Sequence, residues 1–351
     1  MRAIVKFDKN GNVGFSKELP VPVLVMPELV LVKVHSAPIN PSDCYNMAGS
    51  YGPQPEGIHA AGFEGSGVVC KVHEDAPENV KALLGKSVAI CGHGTYAEYF
   101  ALHFSMCIVL PENVDLEHGA MTVVNPLTAL AMMDRAKELG ATAVIINAAG
   151  SQLGKIAIRL ALKDNITPIC TVRQTKNVQP LKDEFEGLHY VFSTEDPENF
   201  DMLMKEACTA KKPLVCLDAV AGETTGKMVS YLADKGTCII YGNLSGQPMS
   251  GIAVGDILSR YVKIEGFWLT NWLPEKIQKD PVAYFTFIEA EFKPLLSTTF
   301  ACNVASRFGV HQIKDGYESY MANQSAGKVL FQPGLSAEAS EGQTHHITGG
   351  L

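Results

Sequence analysis

Long apolar runs are missing from this chain of 351 residues: none reaches the roughly 18 to 20 residues that a spanning helix needs, which argues against a membrane protein. No Cys-x-x-Cys pair occurs either. The nine cysteines, at 44, 70, 91, 107, 170, 208, 216, 238 and 302, are odd in number, scattered and mostly embedded in apolar runs. That usage fits reduced, packed thiols in a reducing compartment rather than a disulfide framework. Excess positive charge is lacking as well. A net charge of -8 excludes a general affinity for nucleic acid or anionic membrane, although it permits a local basic pocket for one phosphorylated ligand. No internal repeat is found. The opening Met1-Arg-Ala-Ile-Val-Lys-Phe7 reads as a strand, with no apolar or Arg-rich targeting segment ahead of it. The expected location is therefore cytoplasmic for the sequence as it stands, and mitochondrial if a transit peptide has been removed.

What is present describes a soluble α/β protein, with 46% hydrophobic and 19% charged residues and 31 glycines. The length exceeds what one core organises and predicts two domains. Up to about residue 120 short β-like runs, Leu29 to His35, Gly67 to Val72 and Ser87 to Cys91, are punctuated by Pro and Gly, the pattern of a barrel-like β domain. From about Asn125, short strands alternate with longer helical stretches, as in βαβ units around a parallel sheet. Six strands are predicted: Ala143 to Asn147, Pro168 to Val172, Tyr190 to Phe192, Leu214 to Asp218, Thr237 to Tyr241 and Val262 to Phe267. They complete a Rossmann, doubly wound dinucleotide fold. Gly327-Lys-Val-Leu-Phe331 reads as a strand returning to the β domain. The expected division is 1–124 with 292–334 for the β-rich domain and 125–291 for the inserted Rossmann domain. The tail 335–351 is too polar to order itself.

The candidate cofactor turn runs from Val144 to Gly154. A buried strand, the small-residue turn Ala148-Ala-Gly-Ser-Gln-Leu-Gly154 and a helical Lys155-Ile-Ala-Ile-Arg-Leu-Ala161 follow one another. Small residues let the backbone approach a pyrophosphate, whose charge meets the free N–H groups and positive end of the helix. Gly150 and Gly154 are its glycines. The usual G-x-G-x-x-G is replaced by Ala148-x-x-Ser151-x-x-Gly154, with Gln152 where a glycine is expected. At the end of the next strand, 19 positions past Gly154, stands Arg173, with Lys176 close by. An NAD site places Asp or Glu there, whereas an arginine pairs with the 2'-phosphate of NADPH.

Beside that turn, several short motifs occur in a fixed order: Ile39-Asn-Pro-Ser-Asp43, Gly62-Phe-Glu-Gly65, Gly94-Thr-Tyr-Ala-Glu-Tyr99, Asn125-Pro-Leu-Thr-Ala129, Asp218-Ala-Val-Ala-Gly222, Tyr241-Gly242 and Gly327-Lys-Val329. Together they make the chain resemble the medium-chain dehydrogenase/reductase superfamily, over about 330 positions. The resemblance implies a Rossmann domain inserted in a GroES-like catalytic domain, and a homodimer. It departs from the zinc-dependent alcohol dehydrogenases. Asn40-Pro41 and Phe63 stand where those carry a cysteine and a histidine, and Pro and Phe offer no side-chain ligand. Cys44 falls out of the ligand's place and reads as a packed thiol. The ten histidines show no ligand spacing, and His93 and His103 read as surface or loop residues.

Zinc-free branches of the superfamily reduce activated double bonds or quinones. Tyr51, in Gly49-Ser-Tyr-Gly52, matches the place where mitochondrial-type trans-2-enoyl-thioester reductases carry a catalytic tyrosine, and quinone reductases often have one there too. Gly266-Phe-Trp-Leu-Thr-Asn-Trp272 resembles the Gly-Phe-Trp-Leu segment of those enoyl reductases and holds both tryptophans of the chain. By resemblance the cofactor contacts fall on Asn125, Ser151, Gln152, Leu153, Arg173, Gln174, Tyr241, Gly242, Phe267, Trp268 and Lys328. The substrate contacts fall on Asn40, Trp268 and Trp272. The reading is an NADPH-dependent enzyme that reduces a 2-enoyl thioester, with Tyr51 protonating the α-carbon directly or through water. A quinone or alkenal/enone reductase is its rival within the family, and a non-catalytic NADPH-binding protein on the same fold is its rival from another class.

Overall fold

The computed structural model describes residues 1–7, 12–52, 57–322, 326–335 and 344–346. The chain divides into two compact units, one made of Met1–Val124 with Val282–Gly350 and the other of Asn125–Pro281. The sequence places the return to the first unit at 292; the compact units divide ten residues earlier, at Val282. Within the first unit Phe292 is buried and packs on Phe300, with ring centroids 5.1 Å apart.

The first unit is built on two sheets. Seven strands form the larger one, in the order Val304–Phe308, Lys328–Phe331, Leu29–Pro38, Glu64–Val72, Ser87–Cys91 and Cys107–Val109, with Tyr99–His103 also pairing on Leu29–Pro38. Val30, Val32, Val34, Val69, Val88 and Ile90 fill its interior, β-branched side chains suited to a pleated, buried face. Lys328–Phe331 pairs antiparallel with the end of Leu29–Pro38, so the late strand does return to the β domain. A smaller sheet runs Thr344–His346, Asn12–Ser16, Ala3–Lys6, His59–Ala60. The tail, expected to be mobile from Leu335 on, thus contributes Thr344–His346 as a strand on Asn12–Gly14; residues 336–343 and 347–351 lie outside the described residues.

The second unit is a six-stranded parallel sheet in the order Tyr190–Ser193, Thr167–Val172, Ala143–Ile146, Val215–Asp218, Thr237–Ile240, Lys263–Gly266. Numbered along the chain this is 3-2-1-4-5-6, the doubly wound arrangement, in which ligands bind outside the carboxyl ends of the strands where the order reverses. All four residues of Ala143–Ile146 are buried. Burying Val144, Ile145 and Ile146 contributes about 1.5–3 kcal/mol each, which is why the run is uninterrupted by polar residues. Helix Gln152–Lys163 follows, with Ile156, Ala157, Leu160 and Ala161 buried along one face. Among the described residues no helix is long and apolar enough to cross a membrane.

Candidate active site

At the first strand-to-helix turn of the second unit, Ala148 adopts a left-handed conformation (φ 46°) and Ser151 caps the helix, its side chain accepting the Gly154 N–H at 3.0 Å. The cap meets one of the orphan donors of a helix start. The N–H groups of Gln152 and Leu153 have no partner among the described residues and sit at the positive end of a 12-residue helix. Gly154 is required by space: a Cβ there would lie 2.7 and 2.8 Å from the carbonyl oxygens of Ala149 and Ala148. Gln152, in place of a glycine, is accommodated as the first helical residue with its side chain buried. The turn therefore keeps the features an anionic pyrophosphate needs, although its central glycines are gone.

The other cofactor candidates of this unit follow the carboxyl ends of neighbouring parallel strands. Arg173 and Gln174 follow Thr167–Val172, Tyr241 and Gly242 follow Thr237–Ile240, and Phe267 and Trp268 follow Lys263–Gly266. One sheet edge thus gathers them beside the phosphate turn. Arg173 and Lys176 are exposed, and neither side chain makes a hydrogen bond or ion pair among the described residues. Glu195 is the acid nearby; the Thr175 N–H holds it at 2.9 Å and keeps its carboxyl below the usual range. Gly242 lies so close to Ala219 that a Cβ would come within 2.7 Å of its carbonyl oxygen. The Tyr241 hydroxyl is buried with no hydrogen-bond partner among the described residues, an unmet polar group at the edge where a dinucleotide would lie. Burial pushes its pKa upward.

A buried network stiffens this edge. Asp218, fully buried, accepts from Asn147 Nδ2 at 2.5 Å, Thr225 Oγ1 at 2.6 Å and the backbone N–H groups of Val220 and Ala221 at 2.9 and 3.0 Å. Asn147 Oδ1 accepts the Ala219 N–H at 2.7 Å. Two strand ends and the start of the following helix are thereby locked together at the point where strand order reverses. Trp272 and Phe267 pack at 6.0 Å and line a cavity of about 240 Å³, together with Met132, Ile239, Gly266 and the paired Arg135 and Glu265. Trp268 is exposed and does not line it.

In the first unit Tyr51 lies against Phe63, with ring centroids 5.3 Å apart, and Phe63 meets His93 edge-on at 4.6 Å. Phe63 is buried, so the place held by a histidine in zinc enzymes is here filled by hydrocarbon that buttresses the tyrosine. His93 is an exposed loop residue, yet it belongs to this aromatic group. Burial and the nearby His59 lower its pKa and favour the neutral ring. Cys44 is buried and its pKa is raised chiefly by burial, the behaviour of a packed thiol.

The first unit also holds a cluster of buried polar groups. Asn40 Nδ2 donates to Glu64 Oε1 at 2.8 Å, Lys328 Nζ donates to Asn40 Oδ1, and Glu64 Oε2 accepts the N–H groups of Val123 and Val124 at 3.2 and 2.8 Å. Asp43 Oδ2 accepts the Asn40 N–H at 2.8 Å, while Oδ1 has no partner among the described residues. Burial raises the Asp43 pKa from 3.8 to about 7. Between these values the folded protein keeps a proton that the unfolded chain releases, so stability falls as pH rises through that interval. A tenfold difference in proton affinity between the folded and unfolded chains is equivalent to about 1.4 kcal/mol. Burial also shifts the Glu64 pKa upward, opposed by Lys328 and by the hydrogen bonds from Val124, Asn40 and Val123. Asp43→Asn keeps the acceptor for the Asn40 N–H and removes the charge. Melting temperatures across this range should fall less steeply in the variant, and an unchanged slope would assign the effect elsewhere.

Sequence reasoning singled out Asn40 and Lys328 but not Glu64, which joins them, nor Asn147, which grips Asp218. Glu64 carried one signal, an acid inside the apolar run Ala60-Ala-Gly-Phe-Glu-Gly-Ser-Gly-Val-Val69. A charge in such a strand needs a buried partner.

The chain matches two family profiles, the alcohol dehydrogenase GroES-like domain over residues 26–112 and the zinc-binding dehydrogenase family over 152–283. It is 29% identical to the mitochondrial enoyl-acyl-carrier-protein reductase of Xenopus tropicalis, over 72% of each chain. With the human protein of the same description it shares 31% identity over 69% of this chain and 65% of that one, so the match spans under two thirds of the human protein. A crystal structure from Mesorhizobium loti, assigned as an NADPH:quinone reductase, superposes with a TM-score of 0.80 at 30% identity, covering 95% of this chain and 98% of that one.

Proposed function

The chain belongs to the medium-chain dehydrogenase/reductase superfamily of oxidoreductases, and from that premise we propose that it is an NADPH-dependent reductase of activated carbon–carbon double bonds, acting on 2-enoyl thioesters. The observation that carries this reading is the Tyr51–Phe63 pair: a phenolic O–H on a ring packed against hydrocarbon where a zinc enzyme has a ligand. NADPH, when bound, supplies the hydride to the β-carbon of the acceptor. Ser151 and the N–H groups of Gln152 and Leu153 hold the pyrophosphate, Arg173 and Lys176 the 2'-phosphate, and Tyr241, Gly242 and Phe267 border the cofactor along the sheet edge. Asn125 and Lys328 complete its contacts. Tyr51 protonates the α-carbon, directly or through water, and the thioester carbonyl makes the addition feasible. Trp268 and Trp272 contact the acyl group, whereas Asn40, expected to contact it too, is buried with both ends of its amide held by Glu64 and Lys328 and reaches a ligand only through Lys328. No metal is required by these roles.

A second reading, reduction of quinones with the same tyrosine at the acceptor oxygen, is favoured by the 30% identity to the Mesorhizobium loti chain across almost its whole length. A homodimer is part of the proposal. Lys263–Gly266 ends the parallel sheet with one side unpaired among the described residues, and Val254, Leu258 and Tyr261 just before it are exposed apolar side chains. The descriptions of the enoyl reductase relatives support a mitochondrial location. The test is steady-state turnover with NADPH of a medium-chain 2-enoyl-CoA against a naphthoquinone. Efficient enoyl reduction is expected; quinone turnover alone would replace the first reading by the second, and no turnover of either would leave NADPH binding without catalysis.

A further inference from the structure

The Glu64, Asn40 and Lys328 side chains form a chain of hydrogen bonds whose polarity is determined at both ends. All three are buried. Each neighbour of the Glu64 carboxylate is a donor: the Asn40 amide on one oxygen, the Val123 and Val124 N–H groups on the other. The carboxylate must therefore accept from Asn40, which turns the amide nitrogen toward Glu64 and the amide oxygen toward Lys328. The reverse orientation would set an amide oxygen against a carboxylate and an NH2 against an ammonium. The Lys328 ammonium makes this one hydrogen bond among the described residues. A buried ammonium has three protons to place, so two remain for an acceptor.

We propose that Glu64 is a positioning residue: it orients Asn40, and through Asn40 it aims the Lys328 ammonium at an electron-rich oxygen of a bound ligand. This rests on the reductase reading for the identity of the ligands, but the chain of orientation belongs to the protein alone. It also explains why Asn, and not Asp, stands at position 40. An aspartate there would set its carboxylate against that of Glu64, across the 2.8 Å now spanned by the amide.

The experiment exchanges the two functional groups. In Glu64→Gln the new NH2 meets the Asn40 NH2, and if Asn40 turns to relieve this, its NH2 meets Lys328. In Asn40→Asp two carboxylates meet. In the double variant Glu64→Gln/Asn40→Asp the glutamine donates to Asp, which accepts from Lys328, while the glutamine oxygen still receives Val123 and Val124; the net charge is that of the unmodified protein. Fluorescence titration with NADPH gives its Kd, and steady-state kinetics with the acceptor that the unmodified protein reduces fastest gives kcat and KM. Each single variant is expected to lose about 10-fold or more in one of these, since small misplacements of a site group have effects of that size. The double variant is expected to recover to within about threefold of the unmodified protein. Loss in Kd assigns the ligand oxygen to the dinucleotide, and loss in KM or kcat alone assigns it to the acceptor. Two single variants indistinguishable from the unmodified protein, or a double variant no better than the worse single one, would overturn the proposal. Should the single variants fail to fold, the double variant carries the test alone: it must fold and bind NADPH normally, and its failure to do so would also overturn it. Absence of enoyl turnover in the unmodified protein would defeat the substrate assignment while leaving the NADPH arm to be read.

Discussion

Tyr51→Phe is expected to lower kcat for 2-enoyl-thioester reduction by about 10²- to 10⁴-fold, the usual contribution of a positioned proton donor. The substitution isolates the O–H. The ring that packs at 5.3 Å on Phe63 is kept, so the aromatic group of Tyr51, Phe63 and His93 loses no packing. NADPH affinity should not change, because the roles proposed for its binding lie elsewhere. Transfer of hydride to the β-carbon leaves negative charge spread from the α-carbon to the thioester oxygen, and without the phenol that charge must wait for a proton from water. Single-turnover decay of NADPH absorbance, paired with a fluorescence titration for Kd, separates the effect on chemistry from the effect on binding. An unchanged single-turnover rate would remove Tyr51 from the role of acid and pass it to another group. A fall in rate accompanied by an equal fall in NADPH affinity would point to a disturbed site instead.

Much of the scaffold was legible because periodicity survives in buried strands. The six runs from Ala143 to Phe267 each appear within a residue or two of their predicted bounds, and the central ones, Ala143–Ile146 and Val215–Asp218, are fully buried, as a parallel sheet covered on both faces demands. The phosphate turn was legible through Gly154, whose lack of a side chain is forced by two carbonyl oxygens. The effect of Gln152 was not, because a motif written in glycines does not say that a residue at the first helical position can turn its side chain inward. The supporting groups were harder to read. Glu64 and Asn40 are separated by 24 residues, and Asn147 and Asp218 by 71, and only pairing of strands brings them within hydrogen-bond distance. Resemblance pointed to Asn40 and Lys328 as contacts to ligands. It gave no reason for the acid that joins them, which is a matter of buried donors needing an acceptor.

Arg173→Ala is expected to weaken NADPH binding by about 10- to 100-fold and to leave NADH binding nearly unchanged, the size expected for losing a charge-assisted pair with a phosphate. Arg173 stands one residue past the end of Thr167–Val172, exposed and with no side-chain partner among the described residues. Its charge is therefore not already committed to a carboxylate, and no internal pair has to break before it meets a ligand. Lys176, three residues on, is a second uncommitted cation, and its residual pull sets how far the variant's preference can fall. Glu195 bears on the other cofactor. Its carboxylate is turned toward the Thr175 N–H, and removal of Arg173 alone adds no new contact to a ribose hydroxyl, so it should not create a good NADH site. The loss should also shrink in high salt, because an exposed cation is screened over about 10 Å at 0.1 M ionic strength. Titrating both cofactors into both proteins at two salt concentrations decides the matter. Selective loss for NADPH places Arg173 at the 2'-phosphate, whereas equal losses for NADPH and NADH would mean that it acts on a part of the dinucleotide that the two share.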